Sequence, residues 1–169
     1  RLDGVIRGGQ NYADAVAVGT TLYMAPWSQD GVGVLDAATS TFSTIDFATP
    51  RGARNKYWGA AAIGTKAYFA PFYSVGILVL DITSSTLSTI STSAAGRAYR
   101  GYASALVLGT KVYFAPRCET TIGVLETTSS AFSVIDITQR PWSSRRCSVQ
   151  AQRHEDGTAA WATVVPGPP

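Results

Sequence analysis

Short apolar runs separated by tight turns make up most of this sequence. Sixteen Gly, eight Pro and many Ser and Thr residues punctuate the runs, which favours many short strands over a helical bundle. No run approaches the eighteen consecutive apolar residues that a membrane-spanning helix needs. The pattern therefore predicts an all-β chain without a membrane span.

The pattern also repeats. When the chain is cut at Tyr12, Tyr57 and Tyr102, three segments of 45 residues align without a gap. Shared Gly-Thr pairs, prolines and acidic residues fall in register, and chance does not align three segments in this way. These shared positions are Gly19-Thr20, Gly64-Thr65 and Gly109-Thr110, then Pro26, Pro71 and Pro116, and then Asp36, Asp81 and Glu126.

Each repeat is predicted to contain four strands, A to D. The continuous small, apolar run of strand A predicts burial on both faces. Strand B ends at a proline, which cannot donate a ladder hydrogen bond, and strand D alternates Ser/Thr with apolar residues as a half-buried outer strand does. The predicted strands are Ala13–Val18, Leu22–Ala25, Val32–Leu35 and Thr41–Ile45; then Trp58–Ile63, Ala67–Ala70, Ile77–Leu80 and Thr86–Ile90; then Ala103–Leu108, Val112–Ala115, Ile122–Leu125 and Ala131–Ile135.

A period near 45 residues with four strands per unit is typical of β-propeller blades. The predicted fold is therefore all-β and propeller-like, with blades at residues 12–56, 57–101 and 102–146. Small residues in strand A fit this fold, because the innermost strands converge on a narrow axis.

The two ends of the chain are predicted to add a degenerate fourth blade. Within residues 147–165, the run from Gly157 to Trp161 repeats the run from Gly109 to Tyr113 three residues late. Residues 1–11 are then expected to return as its outer strand and close the ring, and residues 166–169 form a tail. The alternative is an open arc of blades whose edges pair with another copy or with a partner.

The repeat resembles a known class. The pattern G-T-x-x-Y-x-A-P, followed by V-x-V-L-D-x-x-T-S-x-x-S-T-I, is similar to the YVTN/Kelch-like propeller blade, especially in tandem arrays of algal proteins. The resemblance extends from Tyr12 to Arg146 and implies a propeller fold. It implies little about function, because propellers host many unrelated activities. The algal likeness allows an accessory subunit of a larger, organellar complex.

Composition and charge exclude several classes of function. A hydrophobic content of 46% with 15% charged residues excludes a disordered chain, and a net charge of +3 is too small to predict specific nucleic-acid binding. The single histidine, His154, lies in a polar stretch, and the sequence pairs no nucleophilic residue with it. Propeller enzymes place a cluster of acids or a cofactor in the central channel, whereas strand A here supplies mainly Ala, Val, Leu and Ile. We therefore expect no enzyme activity, no catalytic or metal-binding residues, and no cofactor.

One face of the predicted propeller concentrates basic and aromatic residues. In a propeller the B–C and D–A loops share a face. Arginine together with exposed aromatic residues is enriched at protein-binding surfaces, and the same residues suit an anionic glycan. The alternative is a solvated basic rim that has no binding function. The candidate residues are Trp27, Phe72, Tyr73 and Arg117 in B–C loops, and Arg51, Arg54, Lys56, Arg97, Arg100, Arg140, Trp142, Arg145 and Arg146 in D–A loops.

Other repeated positions have structural interpretations. The tyrosines at 12, 57 and 102 are expected to pack between blades, with each hydroxyl reaching a partner. Asp36, Asp81 and Glu126 are expected to fix their turns by accepting backbone hydrogen bonds, because a single carboxylate per loop is too few for calcium. Cys118 and Cys147 fall on the same predicted face, so a disulfide between neighbouring blades and two free thiols both stay open.

The leading hypothesis is a non-catalytic protein-interaction or scaffold module that acts through the Arg/aromatic loop face or through a blade edge. Its partners would be one or more proteins, within an oligomer or a larger complex. The alternative is a lectin-like, carbohydrate-binding propeller. The chain begins at Arg1, which suggests a processed or cropped sequence. Organellar and secreted locations are therefore both open.

Overall fold

The structure is a computed structural model of the chain. It describes residues 11–47, 55–92, 101–117, 120–137, 151–153 and 159–161, the last two ranges by their backbone alone. All regular secondary structure in these ranges is β-strand. A search of the described residues for a helix able to cross a membrane finds none.

Three four-stranded antiparallel sheets form the body of the molecule, each with its strands in sequence order. This confirms the predicted all-β, propeller-like class, and each predicted strand is present with one more residue at one or both ends. The sheets are blade 1, with β1 (Tyr12–Val18), β2 (Thr21–Pro26), β3 (Gly31–Asp36) and β4 (Thr41–Asp46); blade 2, with β5 (Tyr57–Ile63), β6 (Lys66–Pro71), β7 (Gly76–Asp81) and β8 (Thr86–Ser91); and blade 3, with β9 (Tyr102–Leu108), β10 (Lys111–Pro116), β11 (Thr121–Glu126) and β12 (Ala131–Asp136).

The turn between the third and fourth strands of each blade is held by an acidic side chain, as predicted. The Asp36 carboxylate accepts hydrogen bonds from the backbone N–H groups two and three residues on, at 2.8 and 3.3 Å. Asp81 repeats both bonds at 3.1 Å. Glu126 accepts from the hydroxyl of Thr128 at 3.0 Å. The bonds to Asp36 and Asp81 are Asx-type bonds, which satisfy backbone N–H groups that have no ladder partner in the turn.

The core consists of two apolar layers, each between consecutive blades. Blade 2 is therefore buried on both faces, because neighbouring residues of a strand point to opposite sides. The first layer joins Val16, Tyr23, Ala25 and Val32 to Tyr57, Ala60, Ala67, Phe69, Leu78 and Leu80. The second joins Ala61, Tyr68, Ala70, Ile77 and Val79 to Tyr102, Ala105, Val112, Phe114 and Leu125.

The innermost strands approach one another closely. β5 contacts both β1 and β9. A Cβ atom added at Gly59 on β5 would lie 2.5 Å from the Cα of Ser104 on β9, so only glycine allows this approach. On the other side of β5, the Asp14 carboxylate of β1 accepts the Ala60 N–H at 3.1 Å. Burial on both faces holds for most of β5, whereas β1 and β9 keep exposed positions such as Leu108.

A two-stranded sheet follows the third blade, formed by β13 (Ala151–Arg153) and β14 (Ala159–Trp161). Ala151 lies opposite Trp161, as Leu106 of β9 lies opposite Tyr113 of β10. Ala151 follows Leu106 by 45 residues, and Trp161 follows Tyr113 by 48 residues. The difference of three residues is the delay found in the sequence. β13 and β14 thus pair in the register of the first two strands of a blade. The predicted closing strand at residues 1–11 and the tail at 166–169 lie outside the described residues.

Candidate binding face

A ladder of backbone hydrogen bonds joins the three blades at the face predicted for binding. In each step, the residue before a blade's first strand bonds to the loop after the second strand of its own blade or of the preceding blade. These bonds fix successive loops side by side, so their side chains meet. The bonds are Trp27 N–H to Asn11 O (3.0 Å), Lys56 N–H to Trp27 O (3.0 Å), Phe72 N–H to Lys56 O (2.9 Å), Gly101 N–H to Phe72 O (3.0 Å) and Arg117 N–H to Gly101 O (3.0 Å).

An aromatic cluster, defined as Trp27, Trp58, Phe72 and Tyr73, lies on this ladder. The centroids of the first three rings are 4.9 to 5.0 Å apart, and Tyr73 contacts Phe72 edge-on at 4.8 Å. Trp27 and Phe72 are buried, with 9% and 5% of their surface exposed, and Trp58 is half-buried. Tyr73 is 42% exposed. The cluster thus has a buried base and an accessible rim. Its ring pairs are edge-to-face, as aromatic quadrupoles favour, except for the tilted pair of Trp27 and Phe72.

The guanidinium of Arg117 lies over this rim. Its Cζ atom is 4.3 Å from the centroid of the Trp58 ring and 5.7 Å from that of Phe72. Both distances are in the range of cation–π contacts, for which tryptophan is the strongest partner. In the described ranges no carboxylate lies within ion-pair distance of Arg117. The contact therefore places a half-exposed positive charge on the aromatic cluster.

Lys56 plays a different part at the same face. Only 4% of its surface is exposed, and its Nζ atom lies 3.3 Å from the Asp30 carboxylate of blade 1. The ammonium group is also 5.7 Å from the centroid of the Phe47 ring. Because the charge is offset within the fold, Lys56 joins blades 1 and 2 and does not face solvent.

The tyrosine that begins β5 also reaches this face. Burial raises the pKa of Tyr57, and a hydrogen bond with Ser74, in the loop that carries Phe72 and Tyr73, opposes that rise. On the blade 1 side, Gln29 donates to the side chain of Asn11 at 2.6 Å. Both contacts hold loop residues in place. No group of three His, Cys, Asp or Glu side chains that would hold a metal ion occurs in the described part of the chain.

Five of the predicted face residues are described, and the structure brings them together: Trp27, Lys56, Phe72, Tyr73 and Arg117. Trp27, Lys56 and Phe72 are buried and not exposed as expected, because the backbone ladder packs consecutive loops against each other. The other candidates lie outside the described residues, namely Arg51, Arg54, Arg97, Arg100, Arg140, Trp142, Arg145, Arg146 and the cysteines Cys118 and Cys147.

The residue that sequence reasoning left unassigned is Trp58. Its repeat equivalents are Ala13 and Ala103, so periodicity gave it no role. A signal was present in its position, because Trp58 is the second residue of β5 and lies two residues after Lys56, which bonds to the loops of blades 1 and 2. A large ring at that point has to lie against the neighbouring loops.

Comparisons with known proteins show the fold alone. No protein-family model and no curated protein matches the chain. Kuenenia stuttgartiensis hydrazine synthase matches with a TM-score of 0.63 and 18% identity, over 95% of this chain and 46% of that one. An extracellular domain from B. thetaiotaomicron matches with a TM-score of 0.59 and 12% identity, over 88% of this chain and 19% of that one.

A third match is similar in length. The computationally designed Ika4 protein has a TM-score of 0.56 and 11% identity, and the match covers 94% of this chain and 95% of that one. By contrast, the chain spans less than half the length of the hydrazine synthase chain. These similarities are to propeller-type folds and, at such low identity, carry no statement about activity.

Proposed function

We propose that this chain is a non-catalytic interaction module of the propeller type that binds a protein partner through Trp58, Tyr73 and Arg117. We further propose that it works as an accessory subunit of a larger assembly. The observation that carries the proposal is a local loss of repeat symmetry. These three side chains meet at one place, and each differs from its equivalents in the other repeats.

The blade architecture does not require these three residues. Position 58 is alanine in the other two repeats, position 73 corresponds to Ser28 and Cys118, and position 117 corresponds to Trp27 and Phe72. Blade 1 has alanine and serine at the positions equivalent to Trp58 and Tyr73, and it still forms the same four strands in the same order. A large ring, a second exposed ring and a cation at one spot are therefore additions to the fold.

Their chemistry suits a protein interface. Trp, Tyr and Arg are the residue types most enriched at the energetic centres of protein–protein interfaces. The buried base formed by Trp27 and Phe72 holds the rim in one arrangement, which lowers the entropy lost on binding. The single histidine of the sequence supports a non-catalytic role, because other side chains need large shifts to act as bases near neutral pH.

The test is affinity capture with the immobilised chain in an extract from its source. The double variant Trp58→Ala with Tyr73→Ser restores the residues of repeat 1 and should abolish capture of a specific protein. Leu108→Ala removes an exposed apolar side chain at the end of β9, beside the turn into β10 and at the other end of the strands from this face, and should retain it. Identical capture by all three proteins, or no specific protein in any, would contradict the proposal.

A lectin-like role is the competing function, since exposed Tyr73 and half-buried Trp58 also suit stacking on sugar rings. An array of neutral and sulfated glycans separates the two functions. We expect no bound glycan. A glycan bound by the unmodified chain and lost in the double variant would replace the protein partner as the ligand.

A further inference from the structure

Arg117 differs from the other cationic side chains that the structure describes. Lys56 pairs with Asp30, Lys66 lies beside Asp81, and Lys111 lies beside Glu126. The described ranges place no carboxylate within ion-pair distance of Arg117. Its described neighbours are instead the rings of Trp58 and Phe72.

An aromatic ring stabilises the guanidinium charge without using up its hydrogen bonds. Arginine has five N–H donors in a planar fork, and the ring carbons of Trp58 offer no lone pair in exchange. The short contact also restricts the guanidinium, so that less side-chain entropy is lost when an anion binds. The ring thus leaves Arg117 with donors in the geometry that a carboxylate matches with two parallel bonds.

We propose that Arg117 binds a carboxylate in an acidic segment of the protein partner, while Tyr73 contacts an apolar side chain next to that acid. This inference rests on the proposed function, because it names the chemistry recognised at the same face. The loop that carries Tyr73 supports it, since Val75 in that loop is 88% exposed. The partner segment that fits such a surface has one acidic residue flanked by apolar residues.

A protein carboxylate fits this surface better than a sulfated glycan or a phosphate. Polyanionic ligands are bound by several cations together, and among the described residues of this face the other cation, Lys56, is buried and paired with Asp30. Of the two cations that the described residues place at this face, Arg117 is therefore the one that offers its charge to a ligand, and a single carboxylate matches it. The exposed Tyr73 and Val75 add apolar area, which a protein segment covers and a densely sulfated sugar does not.

The probes are an array of short peptides rich in Asp and Glu with interspersed Leu and Tyr, and a second array in which every acid is replaced by its amide. We expect the chain to bind members of the acidic array and to lose about ten- to a hundredfold in affinity for their amide counterparts. Binding should weaken as salt rises, because the half-exposed charge is screened.

Three variants assign the effect to Arg117. Arg117→Gln should lose about the same ten- to hundredfold in affinity for the acidic peptides, and Arg117→Lys should lose part of it, because charge without the planar fork is insufficient. Lys111→Gln removes one positive charge at the start of β10, whereas Arg117 follows the end of that strand, and this variant should bind as the unmodified chain does. Thermal unfolding curves check that each variant is folded.

The outcomes separate this inference from the proposed function. Three results would overturn the proposal that Arg117 binds a carboxylate. These are equal binding to the acidic and amide arrays, no binding to either array, and binding that Arg117→Gln leaves unchanged. If Arg117→Gln still captures the partner from extract while the Trp58/Tyr73 double variant does not, the protein-binding function stands and the role of Arg117 fails. Displacement of the peptides by sulfated glycans at low concentration in an Arg117-dependent way would name sulfate as the ligand instead.

Discussion

The ring of Tyr102 occupies the space in which a side chain at position 123 would lie. A Cβ atom added at Gly123 would be 2.9 Å from the Cζ atom of Tyr102. Blade 1 repeats the arrangement, with Gly33 and Tyr12 at 2.8 Å. In blade 2 the equivalent position is Leu78, which is buried in the core between blades 1 and 2. Two of the three blades therefore use a glycine on the third strand to admit the tyrosine of the first strand.

The same substitution should have different effects in the two blades. Tyr102 is almost fully buried and contacts Phe114 and Phe132, so it has no room to move away from a methyl group at position 123. Gly123→Ala should lower the free energy of unfolding by about 1–3 kcal/mol through overpacking. Tyr12 is half-buried and can turn toward solvent, so Gly33→Ala should cost less than about 1 kcal/mol. Urea unfolding of both variants tests this, and equal losses would contradict it.

The strands and their order could be predicted from the sequence because the repeat aligns three independent copies of each turn signal. Gly-Thr pairs, prolines and acidic turn residues mark the strand ends directly. The register of β13 with β14 was also present in the sequence, in the delayed Gly-Thr pair at Gly157.

The burial of Trp27 and Phe72 could not be predicted in the same way. Their exposure depends on how closely consecutive blades approach, which the backbone bonds at Lys56 and Gly101 determine. A loop position in sequence gives no measure of that approach. The contact of Arg117 with Trp58 likewise joins residues of two different blades, and no local pattern connects them.

The turns between third and fourth strands carry a serine in the left-handed backbone region. Ser85 has a φ angle of 53°, where glycine is the residue of lowest cost. Ser85→Gly should therefore raise the free energy of unfolding by about 0.5–1 kcal/mol. Ser88→Gly on strand β8 is the matched control and should lower it by about the same amount, because glycine weakens an extended strand. Chemical unfolding of the two variants measures both signs, and a loss for Ser85→Gly would contradict the argument.

The turn acids should make stability depend on pH below about 4. Hydrogen bonds from the backbone lower the pKa of Asp36 and Asp81, and bonds from Thr110 and Thr128 lower that of Glu126. A carboxyl with a lower pKa in the folded state stabilises the fold above its unfolded pKa. That stabilisation is lost as the pH falls through the folded pKa.

Urea unfolding midpoints between pH 7 and pH 2 should therefore fall in the acidic range. A variant with alanine at all three positions should show a lower midpoint at pH 7 and a flatter decline with acid. An unchanged slope in that variant would assign the acid sensitivity to other carboxylates.

The ion pair between Lys56 and Asp30 predicts unequal effects for its two members. Lys56 is buried while the Asp30 side chain is 48% exposed, so removing the acid leaves a buried charge with less compensation. Asp30→Ala should lower the free energy of unfolding by about 1–2 kcal/mol, less than for a fully buried pair. Lys56→Met keeps the apolar stem beside Phe47 without the charge and should change it by less than about 1 kcal/mol. The double variant should then lose less than the two single variants lose together, since the acid no longer has a buried charge to offset. Losses that simply add in the double variant would show that the two side chains stabilise the blade contact independently.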